Sequence, residues 1–330
     1  MNIAKHGIVF FALSIILFFT TATRGQEVCT TEALARKPGV LRASRLSGST
    51  SGVTAADLAR SRATLEKIHR MIDAGYRPTG VVGDYSYRFS PGTAANTFGY
   101  SLYLLKYNCD QKSADRSKFY IGTDTPTVVR VDANVVNAFD LSAADPADNS
   151  FRGYLLMRSR PQKVDGFYYL GDNPAGGARP QQKEYTWLIT YGDELPFSYL
   201  SRKEYLLITR ARLEKAIKEN GNSSGFYNQY VSRVDEYLKK SDAELSLPAI
   251  VNRLDEERFT GFLEEGERGA FYAIRHNPAY YRKGLPKSAA QFFTVVFSVY
   301  EGDAVPVYPD NIEAVKSALD FNVLRSLLGK

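Results

Sequence analysis

The spacing of apolar residues changes from a helical period to a period of two near residue 81. Between residues 54 and 75, four apolar residues fall on one helical face: Leu58, Leu65, Ile68 and Ile72. Thr54 and Asp57 have the spacing of a helix N-cap, and Gly75 and Pro78 are typical of a helix end. The pattern predicts one amphipathic helix ahead of a β-rich region.

From residue 81 to residue 191, short segments alternate apolar and polar residues, as strands with one buried face do. The candidate strands are VVGDYSYRF, FGYSLYLLKYN, KFYIG, PTVVRVDA, FRGYLLMRSR, DGFYYLG and KEYTWLITYG. Turn-rich stretches such as SPGTAAN separate them, and most of these connections are too short for a crossover helix. We therefore expect an antiparallel sheet.

The stretch LPFSYLSRKEYLLI, Leu195–Ile208, marks the change from strands to helices. Ser201 and Glu204 have the Ser-x-x-Glu spacing of a capping box, which predicts a helix that begins at Arg202. A ligand-binding signature is the alternative, but the cap explains both residues without a ligand. Arg202 and Lys203 lie in the first turn, where the helix dipole disfavours cations. They are therefore candidates for contact with an acidic group or a ligand.

The remaining pattern predicts a helix over Gly225–Lys240, a mixed segment at Leu247–Phe262 that is a further helix candidate, and a buried strand at Gln291–Tyr300. A last helix begins near Pro309 or Asp310. The expected fold is α+β: an antiparallel sheet followed by a mainly helical segment with a returning buried strand. The expected organisation is a signal peptide (1–25), a flexible lead-in (26–53), a β-rich segment (54–195) and a helical segment (196–330), the last two being separate domains or one.

The first 25 residues have the pattern of a secretory signal peptide. A lysine precedes the apolar run Ile8–Phe19, and the small residues of TTATRG follow it. Cleavage is expected before Gln26, with cleavage after Ala22 as the alternative. The apolar run is short of the roughly 20 residues that span a bilayer, so a retained anchor is the weaker interpretation. The expected location is secreted or periplasmic, without a stable membrane span after cleavage.

Cys29 and Cys109 are the two cysteines of the chain, and both follow the expected cleavage site. In an oxidising compartment an even pair predicts one disulfide, whereas two free thiols are the alternative. A disulfide would close a loop of about 80 residues and contribute on the order of 4 kcal/mol in the chain-entropy model.

Charge and residue counts argue against several classes of function. The net charge is +6, and the charges are interleaved rather than grouped into a basic patch, so nucleic-acid binding is not expected. Histidines and cysteines lack the spacings of metal sites, and Gly-rich motifs for phosphates are missing, so no metal and no cofactor are expected. His276, which precedes a turn, is the better of two histidine candidates; a structural role is the alternative.

Acidic residues concentrate in LDEERFTGFLEEGERG, where the carboxylates are those of Asp255, Glu256, Glu257, Glu264, Glu265 and Glu267. A hydrolase that acts through carboxylates needs two of them in one cleft. Calcium binding also uses carboxylates. A solvated charged face is the simpler interpretation.

Aromatic residues are frequent, with 22 Tyr and 19 Phe among 330 residues. The candidates for exposure are Tyr85, Tyr87, Tyr168, Tyr169, Tyr280 and Tyr281. Of these, Tyr85, Tyr87, Tyr280 and Tyr281 are also candidates for ligand binding. Tyrosines also pack well inside sheets, which is the alternative. An exposed row of rings would indicate a binding platform.

The segment LPFSYLSRKEYL, with NPAYYRKGLPKSAAQFFTVVF after it and FYIGTDTPTVVRVDAN before it, resembles a group of secreted bacterial proteins of uncharacterised function. Its most specific part is Leu-Pro-x-x-x-x-[Ser/Thr]-Arg-Lys-Glu-Tyr-Leu, and the similarity spans Ser117 to Phe297. The resemblance implies export and an α+β fold, and it assigns no catalytic residue.

The sequence favours a non-catalytic binding or interaction protein of the periplasm or cell envelope, whose partner is an envelope protein, a peptide or a glycan. A carboxylate-dependent hydrolase of extracellular or cell-surface polymer is the alternative, and a structural subunit of an envelope assembly is a third. A hydrolase requires two carboxylates in one pocket, at least one with a shifted pKa. A binding protein requires an exposed aromatic or apolar surface.

Overall fold

The computed structural model describes residues 28–44, 50–135, 153–174, 181–219, 224–252 and 258–330. The predicted signal peptide lies outside these ranges, as do the carboxylates of Asp255, Glu256 and Glu257. The chain has the predicted α+β fold, with sheets that are mainly antiparallel. Its α-helices are α1 Thr31–Ala35, α2 Ala55–Gly75, α3 Arg202–Glu219, α4 Ser224–Tyr237, α5 Asp242–Leu245, α6 Val307–Ala318 and α7 Phe321–Ser326.

The strands begin with β1 Leu41–Ala43, β2 Val81–Ser90, β3 Thr97–Cys109, β4 Phe119–Ile121, β5 Val128–Ala133, β6 Leu155–Met157 and β7 Gln162–Val164. They continue with β8 Phe167–Pro174, β9 Gln182–Ile189, β10 Phe197–Tyr199, β11 Ile250–Asn252, β12 Ala270–His276 and β13 Phe293–Tyr300.

Two sheets form within the described ranges. The large sheet has the order β1-β2-β3-β5-β13-β9-β8-β7, with β4 paired to β3, and only the β1–β2 pair in it is parallel. The small sheet is built on β12, which pairs with β6, β10 and β11. The late strand β13 lies in the middle of the large sheet, and the early strand β6 belongs to the small one. Each sheet therefore takes strands from both sides of residue 196.

The buried side chains divide the molecule into four layers. Helices α2, α6 and α7 pack on one face of the large sheet through a core that includes Ile68, Val295 and Ile312. The other face of that sheet packs on the small sheet at Leu188 and Met157. Helices α3 and α4 cover the outer face of the small sheet. In this order of layers, helices lie on one face of the large sheet and the small sheet lies on the other. A strand of the large sheet is therefore exposed to solvent only where neither layer covers it.

Local sequence determines the starts of the two longest helices, as predicted. The Thr54 hydroxyl accepts a hydrogen bond from the Asp57 amide at 3.1 Å. At α3 the Ser201 hydroxyl accepts from the Glu204 amide at 3.2 Å, and the Ser201 amide donates to the Glu204 carboxylate at 2.9 Å. Both contacts satisfy backbone groups that a helix end leaves unpaired.

Three predictions from the pattern were wrong. Leu41–Ala43, inside the predicted flexible lead-in, form β1 because their backbone pairs with Gly83–Tyr85 of β2. Ile250–Asn252, inside the candidate helix at Leu247–Phe262, form β11 against β12. The predicted last helix is two helices, because the chain turns at Leu319 and Asp320 caps α7.

Cys29 and Cys109 form the predicted disulfide, with their Cα atoms 5.7 Å apart. The bond attaches the segment that carries α1 to the end of β3, where Leu34 packs on Val82 and Leu105. No helix in the described part of the chain has the length and apolar character needed to cross a membrane.

Candidate functional site

An aromatic groove opens on the helix-covered face of the large sheet, where β8, β9 and β13 lie side by side. We call it the Trp187 groove, and seven described residues line it: Tyr169, Tyr185, Trp187, Phe297, Lys316, Leu319 and Phe321. Its volume is about 350 Å³, which lies in the range of small-molecule sites.

The register of the three strands forms the floor of the Trp187 groove. Tyr185 and Trp187 are two residues apart on β9, so both point to the same face of the sheet. Tyr169 of β8 is paired with Trp187, and Phe297 of β13 is paired with Tyr185. The rings of Tyr169 and Trp187 are 4.9 Å apart between centroids. The half-buried rings of Tyr169, Tyr185 and Trp187 therefore form an aromatic surface across β8 and β9, and the buried ring of Phe297 supports it from β13.

The turn between α6 and α7 forms the wall. Asp320 caps α7, since its carboxylate accepts from the Asn322 amide at 2.8 Å. This turn brings Leu319 and Phe321 over the sheet, and the Phe321 ring meets the Trp187 ring edge-on at 5.5 Å. The rings of Tyr169, Tyr185 and Trp187 are half-buried beside this turn, so each keeps part of its surface in solvent.

One charged side chain, that of Lys316, lies among the described lining residues. Its ammonium is 4.8 Å from the Tyr185 ring centroid and 5.5 Å from that of Phe297. It also contacts the Glu313 carboxylate at 2.6 Å, one helical turn earlier on α6. The groove therefore has an aromatic end at Trp187 and a cationic end at Lys316.

The chemistry of this lining suits the binding of a ligand. Its described residues include no carboxylate, imidazole or thiol, and the groups that can transfer a proton are the hydroxyls of Tyr169 and Tyr185 and the Lys316 ammonium. Aromatic faces and one ammonium offer stacking, cation–π and ionic contacts.

A second cavity, of about 520 Å³, lies beside the disulfide. Lys106, Asp110 and Lys112 are among its lining residues. Much of this wall is the turn after β3, in which the Lys112 amide donates to the Asp110 carboxylate at 3.1 Å. Tyr107 and Tyr120 also line this larger cavity, but Tyr107 is buried. We favour the Trp187 groove because the half-buried rings of Tyr169, Tyr185 and Trp187 lie side by side in it.

The predicted residues Tyr85 and Tyr87 come together with two residues that the sequence did not single out for binding. We call this group the His69 cluster: His69, Tyr85, Tyr87 and Tyr100. The His69 ring stacks on Tyr85 at 3.9 Å, and the rings of Tyr87 and Tyr100 are 6.1 Å apart. Helix α2 carries His69 and packs on β2 and β3, so these rings contact one another and the helix. Tyr100 is fully buried, whereas Tyr85 and Tyr87 are half-buried.

Burial shifts the pKa values of three side chains in the His69 cluster. It lowers the pKa of His69, with Asp73 opposing the effect and Arg70 adding to it. It raises the pKa of Tyr87 to about 12 and raises that of Tyr100 further. Among the described residues, neither the buried Tyr100 hydroxyl nor the buried His69 Nδ1 has a hydrogen-bond partner.

The predicted residues His276, Tyr280 and Tyr281 also pack together. The rings of His276 and Tyr281 meet edge-on at 4.9 Å, and burial lowers the pKa of His276. The expectation that Tyr280 is exposed was wrong: its side chain is buried, and its hydroxyl donates to the Gln291 carbonyl at 3.0 Å. Tyr281 is half-buried, and its pKa is raised to about 12 by burial.

Arg202 has the acidic partners that its place in the first turn of α3 suggested. Its guanidinium lies 3.7 Å from Glu244 and 4.0 Å from Glu264, and it stacks on the Phe262 ring at 4.9 Å. Lys203 is exposed. These contacts hold Arg202 against the fold, which is a structural role.

The three described glutamates of the acidic cluster are exposed, and two of them lie near arginines, while the Glu267 carboxylate accepts a hydrogen bond from the Glu264 amide at 2.8 Å. Glu264 lies near Arg202, and Glu265 lies 3.6 Å from Arg160. The side chains of the two glutamates are 83% and 56% exposed. This arrangement fits a solvated charged face.

A buried carboxyl group lies elsewhere, at Asp132 on β5. Burial raises the pKa of Asp132, although the Arg88 guanidinium, 2.8 Å away, opposes the shift. A Cβ atom at Gly99 would lie 1.9 Å from the Asp132 carboxylate oxygen, so a glycine is required beside this pair. The sequence signal was one Asp in the apolar strand PTVVRVDA. The group that contacts the Asp132 carboxylate is the Arg88 guanidinium, so these two residues resemble a structural ion pair.

Sequence reasoning named Tyr169 as a candidate for exposure. It missed the Trp187 groove because the parts of the groove lie far apart along the chain. Trp187 was part of a predicted strand, and Lys316 and Phe321 belonged to one predicted helix. Two signals were present: the single tryptophan of the chain and a helix break at LDF.

Comparison with protein-family models, with curated proteins and with solved structures finds no match to this chain.

Proposed function

We propose that this chain is an exported, non-catalytic binding protein that holds one or two sugar rings of a glycan in the Trp187 groove. The observation that carries the proposal is the half-buried aromatic floor of Tyr169, Tyr185 and Trp187 beside the turn where α6 ends. Sugar rings carry C–H groups on their faces, and such groups pack favourably against the negative face of an aromatic ring.

Two features support export. The first 25 residues have the pattern of a signal peptide. The disulfide between Cys29 and Cys109 is of the kind that persists in oxidising compartments. The resemblance to secreted bacterial proteins points the same way and stays a prediction.

A glycan suits the groove better than an extended peptide. Peptides often bind by adding a strand to a free sheet edge, but β9 is paired on both sides, with β13 and with β8. A proline-rich peptide is the competing occupant, because such peptides dock in aromatic grooves without adding a strand. The experiment below distinguishes the two.

The test is a binding screen of the folded, disulfide-bonded chain on a glycan array and on a set of proline-rich peptides. Calorimetry then compares the wild type with Trp187→Ala. We expect binding to a glycan and at least a tenfold loss of affinity in the variant, about 1.4 kcal/mol, because the central stacking surface is removed.

Tyr120→Ala is the matched control, since it removes an exposed aromatic ring of β4 that lines the second cavity and lies outside the Trp187 groove. Its affinity for the glycan should equal that of the wild type. Binding of proline-rich peptides alone would replace the glycan with a peptide, and equal affinities of Trp187→Ala and wild type would refute the proposed site.

The alternative hydrolase has weaker support. Asp132 is a carboxyl group with a raised pKa, as a catalytic acid often is. Its contact at 2.8 Å, however, is with Arg88 and not with a second carboxylate. We therefore do not propose a reaction.

A further inference from the structure

We infer that the Trp187 groove selects acidic sugars, with Lys316 as the residue that recognises the carboxylate. The inference rests on the proposed function and adds the charge of the ligand to it. Lys316 is the charged side chain among the described lining residues, and it lies beside the ring of Tyr185 at the edge of the stacking surface.

The distances suit one sugar ring with an acidic substituent. Tyr185 and Trp187 are two residues apart on one strand, which separates their side chains by about 6.6 Å. A sugar ring stacked on Trp187 therefore places a carboxylate at its rim close to the cationic end of the groove. The aromatic end binds the ring, and the ammonium binds the charge.

The ammonium keeps capacity for a ligand despite its neighbour. The side chain of its ion partner Glu313 is 71% exposed and that of Lys316 is 30% exposed, and the pair spans a single turn of α6. Water and salt screen such a partly exposed pair and weaken it. An ammonium has three donors, and one contact with Glu313 leaves the others for a carboxylate in the groove.

A structural role for Lys316 is the alternative. A cation in the last turn of a helix stabilises that helix through its dipole, and α6 ends two residues later. This role predicts a change in stability and no change in the choice between acidic and neutral sugars. Ligand preference, measured beside stability, therefore separates the two explanations.

The experiment uses two pairs of sugars that differ mainly in charge. Galacturonic acid oligomers are compared with their methyl esters, and N-acetylmuramic acid with N-acetylglucosamine. Trp187 is the single tryptophan of the chain, so its fluorescence reports occupancy of the groove. We expect the acidic member of at least one pair to bind about tenfold more tightly, as a hydrogen bond to a charged group allows.

Variants at two positions assign the preference. Lys316→Met should abolish the preference for the acidic sugar, and Lys316→Arg should retain it. Raised salt should reduce this preference in the wild type. Glu313→Gln should increase it, because the competing carboxylate is lost. That exposed position gives a second test if Lys316→Met alters the unfolding midpoint.

Three outcomes are distinguishable. A preference that Lys316→Met abolishes and Glu313→Gln increases supports the inference. Equal binding of acidic and neutral sugars overturns it and leaves the proposed function standing. No fluorescence change with any sugar, while a proline-rich peptide produces one, overturns both.

Discussion

The Trp187 groove and the His69 cluster are both rich in aromatic rings, and both lie on the helix-covered face of the large sheet. They differ in what covers them. Helix α2 runs over β2 and β3, so the rings of the His69 cluster stack on a helical side chain and on one another. At the Trp187 groove, α6 ends and the chain turns, so the rings of β8 and β9 keep a solvent-facing surface.

This difference shows that aromatic content does not by itself identify a binding surface. The same alternation of tyrosines along a strand builds a core under a helix and a groove beside a helix end. Tyr85 and Tyr87 were singled out from the pattern of β2, whereas the groove depends on where α6 stops. Two expectations follow: substitutions in the His69 cluster reduce stability, and substitutions in the groove reduce binding.

The largest expected effect comes from Tyr100→Ala. Tyr100 is fully buried, and truncating a large buried ring costs about 3 kcal/mol or more of unfolding free energy. Urea unfolding measures the loss, and the affinity of the folded fraction for its ligand should not change.

Tyr100→Phe is the matched control. The buried Tyr100 hydroxyl has no hydrogen-bond partner among the residues that the structure describes, and such a group is costly. Removing it should leave stability equal or higher. A loss above about 1 kcal/mol in Tyr100→Phe would show that the hydroxyl has a stabilising partner and would contradict our description of the cluster.

Alanine substitutions at Tyr169 and at Tyr85 should have smaller effects, and they compare the two regions directly. Tyr169→Ala should lower ligand affinity about tenfold, about 1.4 kcal/mol, because the ring lies beside Trp187 in the floor. Tyr85→Ala should lower the free energy of unfolding by about 1 to 2 kcal/mol, because its ring stacks on His69. Calorimetry and urea unfolding on both variants make the comparison, and exchanged effects would contradict it.

The smallest effect concerns pH. Burial lowers the pKa of His69 from the ordinary value of 6.5, so the unfolded chain binds a proton more readily than the folded one. The His69 contribution to stability is therefore present above pH 6.5 and is lost as pH falls through the lowered pKa. In His69→Asn, stability should fall less between pH 6.5 and about 5, a window above most carboxyl titrations.

His276 also contributes to the loss of stability as pH falls, because burial lowers its pKa as well. His69→Asn should therefore remove only part of the pH dependence, and the double variant with His276→Asn should remove more. Urea midpoints measured across this pH range test the prediction. An unchanged slope in both variants would mean that neither imidazole is held neutral by its surroundings.

The sequence predicted the features that depend on local chemistry. Thr54 and Ser201 cap helices because a hydroxyl can reach an amide three residues later. The apolar segment QFFTVVFSVY became β13, since β-branched and aromatic residues on both faces suit a strand buried on both sides. The pairing of Cys29 with Cys109 followed from an even count of two.

The sequence did not predict features that depend on distant partners. Leu41–Ala43 and Ile250–Asn252 are strands because β2 and β12 pair with them, and three residues carry too short a pattern to signal this. The Trp187 groove needs the register of β8, β9 and β13 together with the helix break at Leu319. No single segment contains that information.

The most direct test of the groove is a crystal structure of the chain from Gln26 onward, purified from its own host without refolding so that bound ligand is retained. Our account predicts density for a sugar ring stacked on Trp187, with an acidic group near the Lys316 ammonium. A ligand bound at the His69 cluster, with the groove filled by the protein's own side chains, would contradict it.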